Sequence, residues 1–305
     1  MIGSAGVIIR RAVPLACLLV FGLNLAWAAQ GPQADVAPFI KKRETRPAGE
    51  VKARYADDPL KLPEAPWNVP GVPLVCEGRG LSLYYLIPVS RVEKILPPGL
   101  KPFPGPKDIW FRVDALQWTA VHSAGRPPVT YKPFVELGYR FEVTENGKRG
   151  TYPLRLYFEP SWPILWARQH GAYAAYPLSG ADVNFSPFIH FFQLRRGNFA
   201  ALVAQVDPRQ GVGAQAMDLF SRGQDGKLWQ GDGMEFVWPR DTQRLTPVSR
   251  KLTAEIKPAQ TRMLLVKEPV EWNILTEDEA LQPAKVLLLE SVQGDWLTPA
   301  GAAAP

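Results

Sequence analysis

The sequence predicts a mainly β (α+β) protein, a largely antiparallel sandwich or barrel with a few short helices. Proline supplies 31 of 305 residues, about twice ordinary usage, and proline breaks helix interiors. Apolar residues alternate with period two through most of residues 74–293, which is the pattern of half-buried strands. Composition is globular, with 46% apolar and 21% charged residues, so a largely disordered chain is excluded.

The chain opens on an export signal. Arg10 and Arg11 precede the apolar run Ala12 to Ala28, which ends in Ala26-Trp27-Ala28. A basic start, an apolar middle and a small-x-small exit read as a secretory signal peptide over 1–28, cleaved after Ala28. As a membrane anchor the run is short and is interrupted by Pro14, Gly22 and Asn24. No membrane span is therefore expected after cleavage, and the product is placed in the periplasm or secreted. The arginine pair leaves general secretion and twin-arginine export both open. Cys17 has no lipobox before it, and cleavage leaves Cys76 as the single cysteine, so an intrachain disulfide is excluded.

Residues 29–73 are rich in proline, charge and small residues, and read as a linker. Removing Arg10 and Arg11 lowers the formal charge from +6 to +4. Seven cations and four anions between Lys41 and Lys61 supply three of those four charges. A nucleic-acid reader carries its basic excess on the folded body, among aromatics. This chain does not, and nucleic acid is rejected as a partner.

One domain follows over 74–293, with a flexible tail over 294–305. Leu81 to Ile87 is β-rich. Ser90-Arg91-Val92-Glu93 reads as a capping box opening a short helix, which Pro97-Pro98-Gly99 ends. In the next strand Ile109, Phe111 and Val113 share one face, and Trp110, Arg112 and Asp114 the other. From Phe134 the alternation is cleaner: Val135, Leu137, Tyr139, Phe141 and Val143 oppose Glu136, Gly138, Arg140 and Glu142. Asn146-Gly147 then turns into the partner strand from Thr151 to Phe158, a hairpin. Pro163 to His170 reads as one short helix stopped by Gly171. Phe188–Leu194 and Phe199–Val206 flank Arg195-Arg196-Gly197-Asn198, a second hairpin. Strands around Leu228–Trp238, Ser249–Ile256, Met263–Val266 and Val286–Val292 complete the domain.

Motifs with a fixed chemistry are few. No serine-hydrolase elbow, Walker loop, paired-histidine zinc motif or calcium loop occurs. Gly211-x-Gly213-x-x-Ala216 lacks the strand–helix setting of a dinucleotide fingerprint. His122, His170 and His190 have no metal-ligand spacing, so neither a metal nor another cofactor is expected. Asn184-Phe185-Ser186 matches a glycosylation sequon, but Pro187 follows it.

Several segments, in order, resemble the acetoacetate decarboxylase family. They are Arg79-Gly80-Leu81-Ser82-Leu83-Tyr84-Tyr85, Val92 to Leu100 with its Pro97-Pro98-Gly99 exit, and Phe134-Val135-Glu136-Leu137-Gly138-Tyr139. Gly150 to Tyr157 and Ala167-Arg168-Gln169-His170-Gly171-Ala172-Tyr173 follow. The resemblance spans roughly Leu74 to Val292. It implies a twisted, closed or semi-closed β-barrel around an enclosed pocket, and homo-oligomeric assembly. It also implies a Schiff-base lysine, with a second lysine beside it. Here the corresponding residues are Ala174-Ala175-Tyr176, and Ala175 stands at the nucleophile. No lysine lies between Lys148 and Lys227, and arginine stays protonated, so it cannot substitute. Lys132 or Lys251 would have to enter from another strand. By the same resemblance Arg79 and Glu136 are substrate-binding groups, Arg168 lies in the matching run, and Asp114 stands near a second acid.

Three readings follow. The first is an exported protein of this fold without Schiff-base decarboxylation, a lyase-like pseudoenzyme binding a small carboxylate, ketone or lipid-like ligand. The second is an enzyme, lyase-like or otherwise acid–base in its chemistry, acting on a keto or enol substrate, with Asp114, Glu136, His170 and Tyr173 as its groups. The third is a structural or interaction module of the cell envelope.

Overall fold

The computed structural model describes residues 74–123, 130–171, 173–209, 220–222, 228–230, 234–238 and 245–299. The expected signal peptide and linker, and the Gly211-to-Ala216 segment, lie outside them. No helix among the described residues is long and apolar enough to cross a membrane.

Strands dominate, as the alternation requires. The larger sheet is built on β1 (Leu74–Pro88), β3 (Asp108–Ser123), β5 (Phe134–Glu145) and β6 (Lys148–Glu159), all antiparallel neighbours in the order β6-β5-β3-β1. The short strands β2 (Lys101–Pro102), β4 (Thr130–Tyr131) and β7 (Ala175–Pro177) pair with β5, β3 and β6. Beyond β6 come β13 (Met234–Val237) and β14 (Thr246–Pro258), with β12 (Leu228–Gln230) and β11 (Phe220–Arg222) continuing past β14. Beyond β1 lies β16 (Lys285–Pro299), which also pairs with β14. β16 runs past residue 293, where the tail was expected to begin.

A smaller four-stranded sheet has the order β15-β10-β9-β8, from β8 (Gly180–Phe185), β9 (His190–Arg196), β10 (Phe199–Asp207) and β15 (Gln260–Val266). Both expected hairpins form. β5 and β6 turn at Asn146 and Gly147, with φ of 49° and 78°, the left-handed pair that this two-residue turn demands. β9 and β10 turn with Gly197 at φ 56°.

The period-two pattern divides the interior. Leu81, Leu83 and Tyr85 of β1, Phe111 and Val113 of β3, and Leu137, Tyr139 and Phe141 of β5 join Phe192, Leu202 and Leu264 in one core, between the two sheets. The opposite face of the large sheet carries Trp118, Phe134, Leu156 and Phe158. Helix α1 (Trp162–Gly171) covers that face with Trp162, Ile164, Trp166 and Ala167. Trp162 stacks on Tyr131 at 5.3 Å and meets Phe134 edge-on at 5.4 Å. Burying a large apolar side chain stabilises the fold by roughly 1.5–3 kcal/mol, so these aromatic contacts fix α1 against the sheet.

The capping box falls elsewhere than expected. Val89–Arg91 forms only a single 3-10 turn, its N-cap is Pro88, and no side chain caps it. The reciprocal box is made by Thr276 and Glu279, at the start of α3 (Glu277–Leu281). Before α3 lies a four-residue helix, α2 (Glu268–Glu271).

Candidate functional site

The polar residues of β3 and β5 that oppose the first core do not meet solvent. Arg112, Asp114, Glu136, Arg140 and Glu142 are all buried, as is Glu235 of β13. An isolated charge in such a place is prohibitive, so each must be paired. Arg140, with no exposure at all, is the hub. Its Nε donates to Glu235 at 2.9 Å, its Nη1 to Asp114 at 2.9 Å and its Nη2 to Glu136 at 2.5 Å. Arg112 donates through Nε to Asp114 and through Nη1 to Glu142, both at 2.9 Å.

The carboxylates are engaged on both oxygens. Asp114 also accepts from the Ser82 hydroxyl at 2.6 Å, and Glu136 from the Trp118 indole N–H at 3.0 Å. Glu235 accepts from the Tyr173 hydroxyl at 2.5 Å, and the half-buried Arg149 lies 3.4 Å from Glu142. Burial by itself would lower the pKa of Arg140, but Glu235, Glu136 and Asp114 hold it above its ordinary value. Its charge is thereby permanent. Arg140 has five N–H groups, and three of them are accounted for. The remaining two, on Nη1 and Nη2, meet no acceptor among the described residues.

Register explains how the hub fits. Ser82, Asp114, Gly138, Leu156 and Ala175 are successive partners across β1, β3, β5, β6 and β7, and so form one row on one face. Gly138 leaves that row open, and the Arg140 guanidinium folds back into the opening. A Cβ at 138 would lie 1.8 Å from Nη1. With neighbouring strands ~4.8 Å apart, Ala175 lies two strands, or roughly 10 Å, along the row from Gly138. It is fully buried, beside Leu156.

The sequence-predicted residues divide accordingly. Asp114, Glu136 and Tyr173 converge on the network. Arg79 does not: it is exposed, with its guanidinium 4.0 Å from the Phe185 ring on the opposite face of the sheet. The flanking Gly78 and Gly80 occupy the inner face, where a Cβ would lie 2.2 Å and 2.3 Å from the carbonyl oxygens of Gln117 and Ala115. β1 presses on β3 there, and residue 79 points away. Arg168 donates twice to the Ala175 carbonyl oxygen, at 2.9 and 2.5 Å, which holds the backbone of β7. The side chains of His170 and Lys251 lie outside the described ones, and Lys132 is exposed. No lysine is among the buried residues described. Among the described residues no group of His, Cys, Asp and Glu could hold a metal ion.

Sequence reasoning missed Arg140, Arg112, Glu142 and Glu235. The alternation had put Arg140 and Glu142 on the face of Glu136, so burial of one implied burial of all. Glu235 carried no such signal, because only tertiary folding brings β13 beside β6.

A second polar cluster lies on the other face of β5 and β6. Glu268 of α2 is fully buried, and its Oε1 accepts from Tyr157 at 3.0 Å and Arg196 at 2.5 Å. Burial raises its pKa against the opposing pull of Arg196, Tyr157 and Arg155. The folded chain therefore binds a proton there more readily than the unfolded chain. This contribution to stability is complete below the ordinary value of 4.5, and it is lost as pH rises through the elevated folded value. Melting temperature against pH should show this decline in the native chain and less of it in Glu268→Gln; parallel curves would refute it.

The arrangement is that of an acetoacetate decarboxylase-like fold. In structure the chain is similar to acetoacetate decarboxylase from Legionella pneumophila, with a TM-score of 0.53 and 12% identity, over 80% of this chain and 94% of that one. It is similar also to an acetoacetate decarboxylase-like enzyme from Sphingomonas wittichii, with a TM-score of 0.53 and 15% identity, over 75% and 92%. No family model and no curated protein matches the sequence.

Proposed function

We propose that this is an exported, periplasmic or secreted protein of the acetoacetate decarboxylase-like fold that forms no Schiff base. It binds a small ketone or carboxylate in the interior of a closed or semi-closed barrel, at Arg140. One observation carries this reading. A buried, permanently charged guanidinium with two uncommitted N–H groups lies in the same cross-strand row as Ala175, where the resembled family has its nucleophile. Such a group recognises carbonyl or carboxylate oxygen and cannot attack it. The acid–base reading is weaker, because Asp114, Glu136 and Glu235 have both oxygens engaged. An acid–base group needs a free lone pair or proton at the substrate.

Borohydride reduction of the full chain in the presence of acetoacetate tests the first half. No covalent adduct is expected, and a trapped adduct would overturn the claim. Thermal-shift titration with short ketones and keto acids tests the second half. A rise in melting temperature that is lost in Arg140→Lys supports binding at the hub. No rise with any of them leaves the envelope-module reading.

A further inference from the structure

At one end of the large sheet, the face that carries the buried network reaches solvent. Along β1 that face runs Ser82, Tyr84, Leu86. The first two are fully buried, and Leu86 is 45% exposed. Its direct partner across β3 is Trp110, which is half-buried. Phe103, also half-buried, packs with Trp110 and Tyr84 in one small cluster. Both outer rings carry a cation. The Lys285 ammonium lies 5.2 Å from the centre of the Trp110 ring, and the Arg149 guanidinium 4.1 Å from that of Phe103. Arg149 is shared with the buried Glu142. The remaining charges on these strand ends and turns are Lys101, Lys107, Lys148 and Lys285, against Asp108 and Glu145. The rim is therefore basic.

We infer that this end of the sheet docks on an anionic lipid surface. A lone exposed leucine would be ordinary. What sets this one apart is the order of the chemistry around it: an apolar tip, aromatic rings behind it, and cations held over those rings. A membrane surface presents the matching order. Acyl chains receive apolar side chains, the headgroup level favours tryptophan, and anionic phosphates attract lysine and arginine. A stable protein interface needs a wider apolar core than one leucine and two half-buried rings. Docking here needs no ligand at Arg140.

Flotation of the full chain with vesicles tests the inference. Phosphatidylcholine mixed with an equal part of phosphatidylglycerol should bind it at least about tenfold more tightly than phosphatidylcholine alone, and less so as salt rises. The basic stretch from Lys41 to Lys61 is common to every chain tested, so variants at the rim decide. Leu86→Asp, and Lys101→Glu with Lys148→Glu, should each weaken binding about tenfold. The melting temperature should stay as it was, because all three side chains are exposed. Phe188→Asp removes a 64% exposed aromatic from the turn between β8 and β9, and should leave vesicle binding unchanged. Native vesicle binding by Leu86→Asp, or an equal loss in Phe188→Asp, would overturn the inference. So would dimerisation of the native chain that Leu86→Asp abolishes, which would make this end an interface between two copies.

Discussion

Arg140→Met is expected to destabilise the protein by about 3–5 kcal/mol, the usual cost of removing one partner from a buried ion network. Three carboxylates, Asp114, Glu136 and Glu235, would each lose a charged donor, and none of them reaches solvent. Domains of this kind have ~5–15 kcal/mol in total, so much of the folded population would be lost at moderate urea. Arg140→Lys should fall between the two, because lysine restores the charge but not the planar fork that addresses three partners. Urea unfolding of the three chains checks the order. A loss below about 1 kcal/mol for Arg140→Met would mean that the carboxylates are not held by Arg140.

Gly138→Ala should be nearly as damaging, against the ordinary trend. In a strand interior, alanine normally gains about 0.5–1 kcal/mol over glycine. Here the new methyl would lie 1.8 Å from Arg140 Nη1, so the guanidinium must leave the row and its bonds to Asp114 and Glu136. A loss of at least about 2 kcal/mol is expected, in the range for breaking buried hydrogen-bonded charge pairs. The double variant gives the sharper test. Once Arg140 is methionine, the methyl has little left to displace, so the two losses should be well short of additive. Additive losses would place the damage of Gly138→Ala somewhere other than the guanidinium.

How much of this could be read beforehand depends on the range of the interaction. The β5–β6 hairpin was legible, because Asn146-Gly147 and the period-two alternation act within a few residues. The polar face Glu136-Gly138-Arg140-Glu142 was also legible as a face. Its burial was not, since that depends on residues distant in sequence, such as Tyr173 and Glu235, reaching it. Arg79 was misplaced because resemblance by residue type ignores the close approach of β1 to β3 at Gly78 and Gly80. The expected capping box at Ser90 had the right residues in a segment that Pro88 starts as a 3-10 turn, while Thr276 and Glu279 made the real one. Glu235 and Glu268 needed the tertiary fold, as their partners lie far away in sequence.

The two bonds from Arg168 to the Ala175 carbonyl bear on how the site could be altered. They fasten the main chain of β7 and leave the side chain at 175 out of the fastening. Seat and occupant are thus specified by different residues: Arg168 sets where the strand lies, and the buried methyl of Ala175 sets only how closely its neighbours pack.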